Sequence, residues 1–403
     1  MPPSGELPQT FDEGVNESAM TKAQTKIEIG GSREWLDSTL DKLKLKMSAE
    51  CARIGGSIPY IPVNGRYADW GKRDIYWWTN GFWPGMLWQM HQATGEIAYR
   101  DTAEQVEERL DEALHGFDGL HHDVGFMWLH TAVANYRLTG NVRSRTRGLH
   151  AANILAGRYN PAGQFLRAWN DEGSHNRAGW MIVDCLMNVP LLYWASDETQ
   201  DPRYRDIAIR HVDTVLRTTL RADGSSNHIV ILDPNDGTVL DKPGGQGFAE
   251  GSSWSRGQAW ALYGMALSHR HTQKAGYLDA AKRIAHYFIA NAALTEYLPL
   301  ADFRAPEEPV VYDTTAAACA ACGLLEIAEA VEEHERRLYV EAAIRMLRAA
   351  EQRFANWAPD EDGILGGGTV AYFSEEREVP IIYGDYFFIE GVLRLSGQSA
   401  HLW

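Results

Sequence analysis

The chain alternates, from end to end, between two kinds of helix. Apolar residues at helical spacing predict helices over Glu34–Ala52, Phe82–Ala93, Tyr99–His115, Val124–Leu138, Val142–Tyr159 and Arg177–Ala195. They continue over Tyr204–Leu220, Trp254–Thr272, Tyr277–Ala292, Thr314–Val331, Arg336–Phe354 and Tyr386–Leu395. One kind is apolar on most faces and rich in Gly, Ala and Trp. Examples are Gly81-Phe82-Trp83-Pro84-Gly85-Met86-Leu87-Trp88 and Gly257-Gln258-Ala259-Trp260-Ala261-Leu262-Tyr263-Gly264. A helix apolar all round is buried. The other kind is amphipathic and charged, as in Asp101-Thr102-Ala103-Glu104-Gln105-Val106-Glu107-Glu108-Arg109-Leu110, and suits a surface. The joins from buried to surface helix are short: Gln92-Ala93-Thr94-Gly95-Glu96, Leu138-Thr139-Gly140-Asn141 and Gln273-Lys274-Ala275-Gly276. The return joins are longer and carry aromatics, Gly, Asn and Asp. A helix pair repeated about six times is a repeat architecture, either an open solenoid or a closed ring. Uneven repeat spacing and the apolarity of the inner set favour closure. The expected fold is all-α, an α/α toroid of six hairpins with six helices inside six. Strand-like runs are short, such as His228–Leu232 before the turn Asp233-Pro234-Asn235-Asp236-Gly237, and the absence of βαβ alternation argues against a parallel sheet.

Composition narrows the function. The 403 residues carry 38 Lys and Arg against 54 Asp and Glu, a formal charge of −16. That surplus argues against general binding to nucleic acid or anionic membrane, where a basic patch supplies the affinity. No apolar run approaches the ~20 residues of a membrane span. Met1–Ser32 lacks an apolar core segment and reads as a mobile tail, not a signal peptide, which leaves 33–403 as a single catalytic domain. Cys51, Cys185, Cys319 and Cys322 include one Cys-x-x-Cys within an alanine run, with no second pair and no neighbouring His cluster. They read as packing residues in a reducing compartment, by default the cytoplasm.

In a toroid the long joins lead into inner-helix N-termini, where free N–H groups attract carboxylates. Asp123, after His121-His122, opens one such helix, and an N-cap is its structural alternative. Asp184, in Trp180-Met181-Ile182-Val183-Asp184-Cys185, reads as lying in the first half of an inner helix between apolar neighbours. A carboxyl there needs a partner or stays protonated, as a general acid requires; a core Asp bonded to a neighbouring helix is the alternative. Arg256 and Trp260 are four apart, on one helix face, and suit a carboxylate-bearing ring or else an interhelical ion pair and a core indole. Trp83, Trp169 and His228 lie on or beside the long joins, and Asp313 and Asp385 read as caps. No metal-ligand spacing and no serine-hydrolase elbow is present.

The segments His122-Asp123-Val124-Gly125-Phe126-Met127, Asp184-Cys185-Leu186-Met187-Asn188, Ser253-Trp254-Ser255-Arg256-Gly257-Gln258-Ala259-Trp260 and Tyr383-Gly384-Asp385-Tyr386-Phe387-Phe388 resemble the unsaturated glucuronyl hydrolases, glycoside hydrolase family 88. The likeness runs from about Ser32 to Leu395. The Trp-Ser-Arg-Gly-Gln-Ala-Trp block is shared more loosely with the unsaturated rhamnogalacturonyl hydrolases. The resemblance implies a six-hairpin α/α barrel acting on lyase-made oligosaccharides that end in a 4,5-unsaturated uronic acid. It implies hydration of that double bond, with Asp184 as general acid and base and Asp123 holding ring hydroxyls. Gln246, Arg256, Trp260, Trp83, Trp169, His122 and His228 look like substrate contacts by position. No metal or cofactor is implied, and the partner is a small oligosaccharide, with the protein a monomer or weak homo-oligomer.

Members that accept sulfated fragments often carry Ser and Lys before the Tyr-Gly-Asp segment. Here Phe373-Ser374-Glu375-Glu376-Arg377-Glu378-Val379 places acids there, which would repel sulfate. A preference for unsulfated substrates is expected. The alternatives are the rhamnogalacturonyl branch, an epimerase-type isomerase on the same toroid, and a non-enzymatic helical-repeat scaffold. The isomerase usually leans on paired inner-helix histidines, which are sparse here. The scaffold leaves the Trp, Arg and Asp of the long joins unexplained.

Overall fold

The computed structural model describes residues 32–403. The tail expected over 1–32 therefore lies outside the described residues, except that Ser32 opens the first helix. Six outer rods are α1 (Ser32–Ile54), α3 (Ile97–Arg109) continued by α4 (Asp111–Gly116), α7 (Val142–Gly157), α9 (Pro202–Thr218), α11 (Ala275–Ala293) and α13 (Glu333–Phe354). Six inner rods alternate with them. They are α2 (Phe82–Thr94), α5 (Val124–Trp128) joined to α6 (Ala134–Thr139) by a π turn, a 3₁₀ turn Val183–Met187 followed by α8 (Pro190–Thr199), α10 (Ser255–Thr272), α12 (Thr314–Ala330) and α14 (Ile382–Ser396). The inner rods follow one another around the axis, and α14 packs back onto α2, so the ring closes.

Burial separates the two sets as the sequence pattern demands. Every residue of Thr314–Ala328, Ile382–Leu393 and Ser255–Ser268 is buried. In α9 the buried residues instead fall on one stripe, including Tyr204, Ala208, His211 and Val215. The short joins share one device. Gly95 and Gly140 take φ of 75° and 76°, the left-handed cap that glycine accepts without strain. The Thr94 and Thr139 hydroxyls accept the N–H groups of Glu96 and Asn141 at 3.2 Å. Thr272 repeats this at Lys274, with Gln273 in place of glycine.

The third inner rod departs from expectation. Arg177–Ala195 is not one helix: β3 (Trp180–Ile182) precedes the 3₁₀ turn, and the α-helix starts only at Pro190. The cause is pairing: Met181 and Ile182 align antiparallel with Val230 and Ile229 of β4 (Ile229–Leu232), which in turn pairs with β5 (Val239–Asp241). Ladder bonds hold this stretch extended, and proline, lacking an N–H, is tolerated at the start of α8. Asp184 thus follows a strand instead of sitting inside a helix. A second small hairpin, β1 (Tyr159–Asn160) with β2 (Phe165–Leu166), lies earlier in the same region of the chain.

The end opposite these loops is sealed. Trp403 is 3% exposed, stacks on Phe387 at 5.9 Å, and donates from its indole to Glu390 Oε2 at 2.9 Å. Arg394 pairs with Glu326 at 2.8 Å beneath it.

Glycine sets how close the inner rods come. A Cβ on Gly264 would lie 2.4 Å from the Leu186 Cβ and 2.9 Å from its carbonyl oxygen. Gly264→Ala is expected to lower stability by about 1–3 kcal/mol by overpacking, read as the denaturation midpoint. Gly276→Ala, where a Cβ meets nothing within 4 Å, serves as control; equal midpoints for the two variants would contradict this packing.

Candidate functional site

The long joins surround a cavity of about 510 Å³ at one mouth of the ring. Asp123 and Asp184 both line it, together with Tyr60, Trp77, Trp78, Trp169, Trp254 and Tyr383 as aromatic walls and Gln246, Arg177 and Arg256 as donors. The two acids arrive by different routes. Asp123 stands at the N-cap position of α5 with φ −76° and ψ 9°, yet its side chain makes no cap bond. Its carboxylate turns away from its own helix and accepts from Asn188 Nδ2 at 2.9 Å. His121 Nδ1 and His122 Nε2 each lie 3.3 Å from its second oxygen. Asp184 is carried by the turn after β3, its side chain 14% exposed, and His228 Nε2 lies 3.4 Å from Oδ1.

Burial dominates the electrostatics. It pushes the Asp123 carboxyl up to about 8, and the Asp184 charge adds to the rise, while the Asn188 donor opposes it. Burial also holds His121 down at about 4 and His122 well below the usual histidine range, so both are neutral at pH 7. Burial and the neighbouring Asp184 charge thus leave the Asp123 carboxyl protonated at neutral pH.

The surrounding loops fix the donors. The Gln246 N–H donates to His228 Nδ1 at 3.0 Å, so the ring's own proton sits on Nε2, toward Asp184. Gly245 makes this approach possible: its φ is +60°, and a Cβ there would lie 2.1 Å from His228 Nδ1. The Gln246 amide donates to Val370 O at 2.6 Å. Arg256, 1% exposed, pairs with Asp313 at 2.9 Å and donates to the Thr369 and Val370 carbonyls. Asp313 also caps α12, accepting from Thr315 N at 3.1 Å. Trp169 lies on a loop held by Arg158, which donates to the carbonyls of Arg167 and Ala168 and to Asn170 Oδ1.

The structure brings Asp123, Asp184, Trp169, Gln246 and Arg256 to the cavity wall. His122 and His228 stand behind the two acids. Trp83 and Trp260 are not at the wall. Trp83 is fully buried and its indole donates to Gly55 O at 3.1 Å. Trp260 is 1% exposed among Phe126 and Phe387, with ring centroids 5.3 and 5.5 Å away. Arg256 lies over Trp254, 4.5 Å from the ring centroid, so its aromatic partner is two residues before it instead of four after. Trp77 and Trp78, on the join into α2, stand at the wall where Trp83 is expected; their adjacency to a buried-helix start is the signal available in the sequence. Tyr60, Trp254, Tyr383 and Arg177 were also missed, although Trp254 and Tyr383 lie inside the distinctive sequence blocks. Asp385 does not cap α14: it sits within the helix and accepts from Ile364 N at 3.0 Å and Leu365 N at 2.7 Å.

Donor atoms of His121, His122 and Asp123 lie within 4.8 Å of one another, spacing that a metal ion tolerates. The positive charge of Arg158 bears on all three, which disfavours a cation there.

The family model described as Glycosyl Hydrolase Family 88 matches residues 59–292. The unsaturated glucuronyl hydrolase of Bacillus sp. (strain GL1) is 36% identical over 334 residues, covering 81% of this chain and 88% of that protein. The unsaturated chondroitin disaccharide hydrolase of Streptococcus pyogenes serotype M1 is 32% identical over 344 residues, covering 81% and 83%. A crystal structure of the Bacillus sp. GL1 unsaturated glucuronyl hydrolase superposes with a TM-score of 0.83 at 33% identity, covering 90% of this chain and 96% of that one.

A carboxyl raised in the folded state contributes stability that is complete below its unfolded pKa, about 3.9, and lost as pH rises through about 8. Between pH 5 and 9 the melting temperature of the native sequence should therefore fall more than that of Asp123→Asn, which has no proton to lose. Taking the difference between the two curves removes other raised acids such as Glu50, also near 8. Parallel curves would show that Asp123 does not retain its proton.

Proposed function

The chain belongs to glycoside hydrolase family 88, and we propose that it releases the 4,5-unsaturated uronic acid from the non-reducing end of lyase-generated oligosaccharides. The observation that carries this reading is the acid pair: two carboxyl groups, from the start of α5 and the turn after β3, face one aromatic-walled cavity, and burial keeps a proton on Asp123 at neutral pH. Such a cavity suits a single sugar ring stacked on indole, and Arg256 and Gln246 suit its carboxylate.

The substrate is a vinyl ether, so its reactive site is carbon 4. Asp184 transfers the pair's proton to carbon 4, which gives an oxocarbenium-like cation at carbon 5. Asp184, now ionised, accepts a proton from the water that adds at carbon 5, and the pair is restored. Asp123 holds ring hydroxyls, and His228 Nε2–H orients the Asp184 oxygen it faces. The hemiketal at carbon 5 opens, the hemiacetal left at carbon 1 expels the neighbouring sugar, and the product is an open-chain keto-aldehyde uronate. One water molecule is consumed. The spacing rule for the two carboxyls of ordinary glycosidases does not apply, because no bond to carbon 1 is attacked directly.

We place the unit of catalysis in residues 33–403 of one chain, because the acid pair and its walls are all supplied by that chain. Among the described residues no helix is long and apolar enough to cross a membrane. Four free, buried cysteines fit a reducing compartment, for which the cytoplasm is our reading. For the adjoining sugar we propose an unsulfated residue. The Glu376 charge is close enough to the cavity to help raise the Tyr60 hydroxyl, after burial, and would oppose a sulfate there.

Three measurements test this. Loss of absorbance at the conjugated double bond should accompany incubation with lyase products, and a steady signal from folded protein across a broad panel would refute the reading. Asp184→Asn should remove at least about 10³-fold of kcat with the fold retained, in the range for loss of a general acid, and turnover close to native would exclude Asp184 from that role. Unsulfated unsaturated disaccharides should turn over faster than sulfated ones, and comparable rates would remove the sulfation preference.

A further inference from the structure

We propose that Asn188 is a positioning residue for the acid pair: it caps α5 in place of Asp123 and so frees the Asp123 carboxyl to face the cavity. This rests on the catalytic reading above and deepens it.

An Asp at an N-cap ordinarily accepts the N–H of the second or third helical residue. In α5 the third residue is Phe126, and its N–H donates to Asn188 Oδ1 at 2.8 Å. That bond fixes the orientation of the amide, so Nδ2 is a true donor, and it points at Asp123 Oδ1, 2.9 Å away. The same Nδ2 is 3.5 Å from the Asp184 backbone oxygen. One fully buried side chain therefore satisfies the helix end, holds one acid and touches the turn that carries the other. The approach has a steric requirement that explains a neighbouring residue: a Cβ on Gly125 would lie 2.5 Å from both Asn188 Cα and Oδ1. Gly125 is part of the segment that first singled out Asp123, and its role is to admit Asn188. The charged and titratable groups facing Asp123 are Asp184, His121, His122, Arg158 and Cys185.

Asn188→Asp tests the assignment with almost no change of shape. The new carboxylate still accepts from Phe126 N–H, so the cap survives, but the donor to Asp123 becomes an acceptor. The expected result is a fall in kcat of about 10- to 100-fold, the size of one hydrogen bond to an ionisable partner, with KM changed less than about 3-fold. The alkaline limb of kcat/KM should move to higher pH, and the melting temperature should fall more steeply with pH than in the native sequence. Asn188→Ser, which loses cap and donor together, should lose both stability and kcat. Native-like kcat and pH dependence in folded Asn188→Asp would overturn the proposal. So would a fall in kcat with both pH dependences unmoved, or failure of Asn188→Asp to fold, since each marks a purely structural residue. The melting curves need no substrate: if the native protein turns over no unsaturated oligosaccharide but the steeper curve is found, the catalytic reading fails and the link from Asn188 to Asp123 stands.

Discussion

An inner ring with no face to water governs this molecule. Helices buried on every side cannot rely on solvent for their ends, and each leaves N–H groups that need a partner. At the mouth of the ring those partners must come from the joins. Asp313 follows the ordinary route, capping α12 and pairing with Arg256. Asp385 reaches out of α14 to the N–H groups of Ile364 and Leu365 on the preceding join. Asp123 has had its cap bond taken by Asn188, so its buried carboxyl lines the cavity with an acid neighbour and no cation in contact. Three acids near three inner N-termini thus meet different fates, decided by which neighbouring donor lies within reach.

The two ends of the ring use charge differently. At the sealed end, Glu326, Glu390 and Arg394 form a buried network with Trp403 laid over it, and the acids there have cations within reach. Against burial, Arg394 and Arg270 hold the Glu326 carboxyl below its usual range, which removes it as an acid, whereas burial raises Glu390 beside it. At the open end, Arg256 is committed to Asp313 and to two carbonyls, which keeps a guanidinium oriented at the cavity wall without neutralising the acid pair. The asymmetry lets one fold hold a rigid floor and a reactive mouth.

The sign of the overall charge acquires a local meaning. A protein of charge −16 repels long polyanions at a distance, yet the cavity wall presents Arg177, Arg256, Gln246 and the neutral His121 to a small anion. Screening confines the general repulsion to about a Debye length, roughly 10 Å, so a short oligosaccharide with one carboxylate meets the local field of the pocket. The Trp-rich composition divides similarly: Trp83 and Trp260 pack the ring, whereas Trp77, Trp78, Trp169 and Trp254 wall the cavity.

Periodicity and join lengths together pointed to the alternating helices and their closure into a ring, except at the start of the third inner rod, because burial on all faces or on one stripe is written directly into residue spacing. The sequence blocks were also sufficient to single out Asp123, Asp184 and Arg256, and position by resemblance to the family added Trp169 and Gln246. Which tryptophan faces the cavity was not legible, since Trp77, Trp78 and Trp83 lie within six residues of one another and only packing decides their direction. The strand before Asp184 was hidden for the same reason: Trp180-Met181-Ile182 is as apolar as a helix, and its partner β4 lies about fifty residues away. Above all, the proton was not legible. It depends on burial, on Asp184 beside Asp123, and on Asn188 standing where a cap would be, and those are relations between segments that only the tertiary fold brings together.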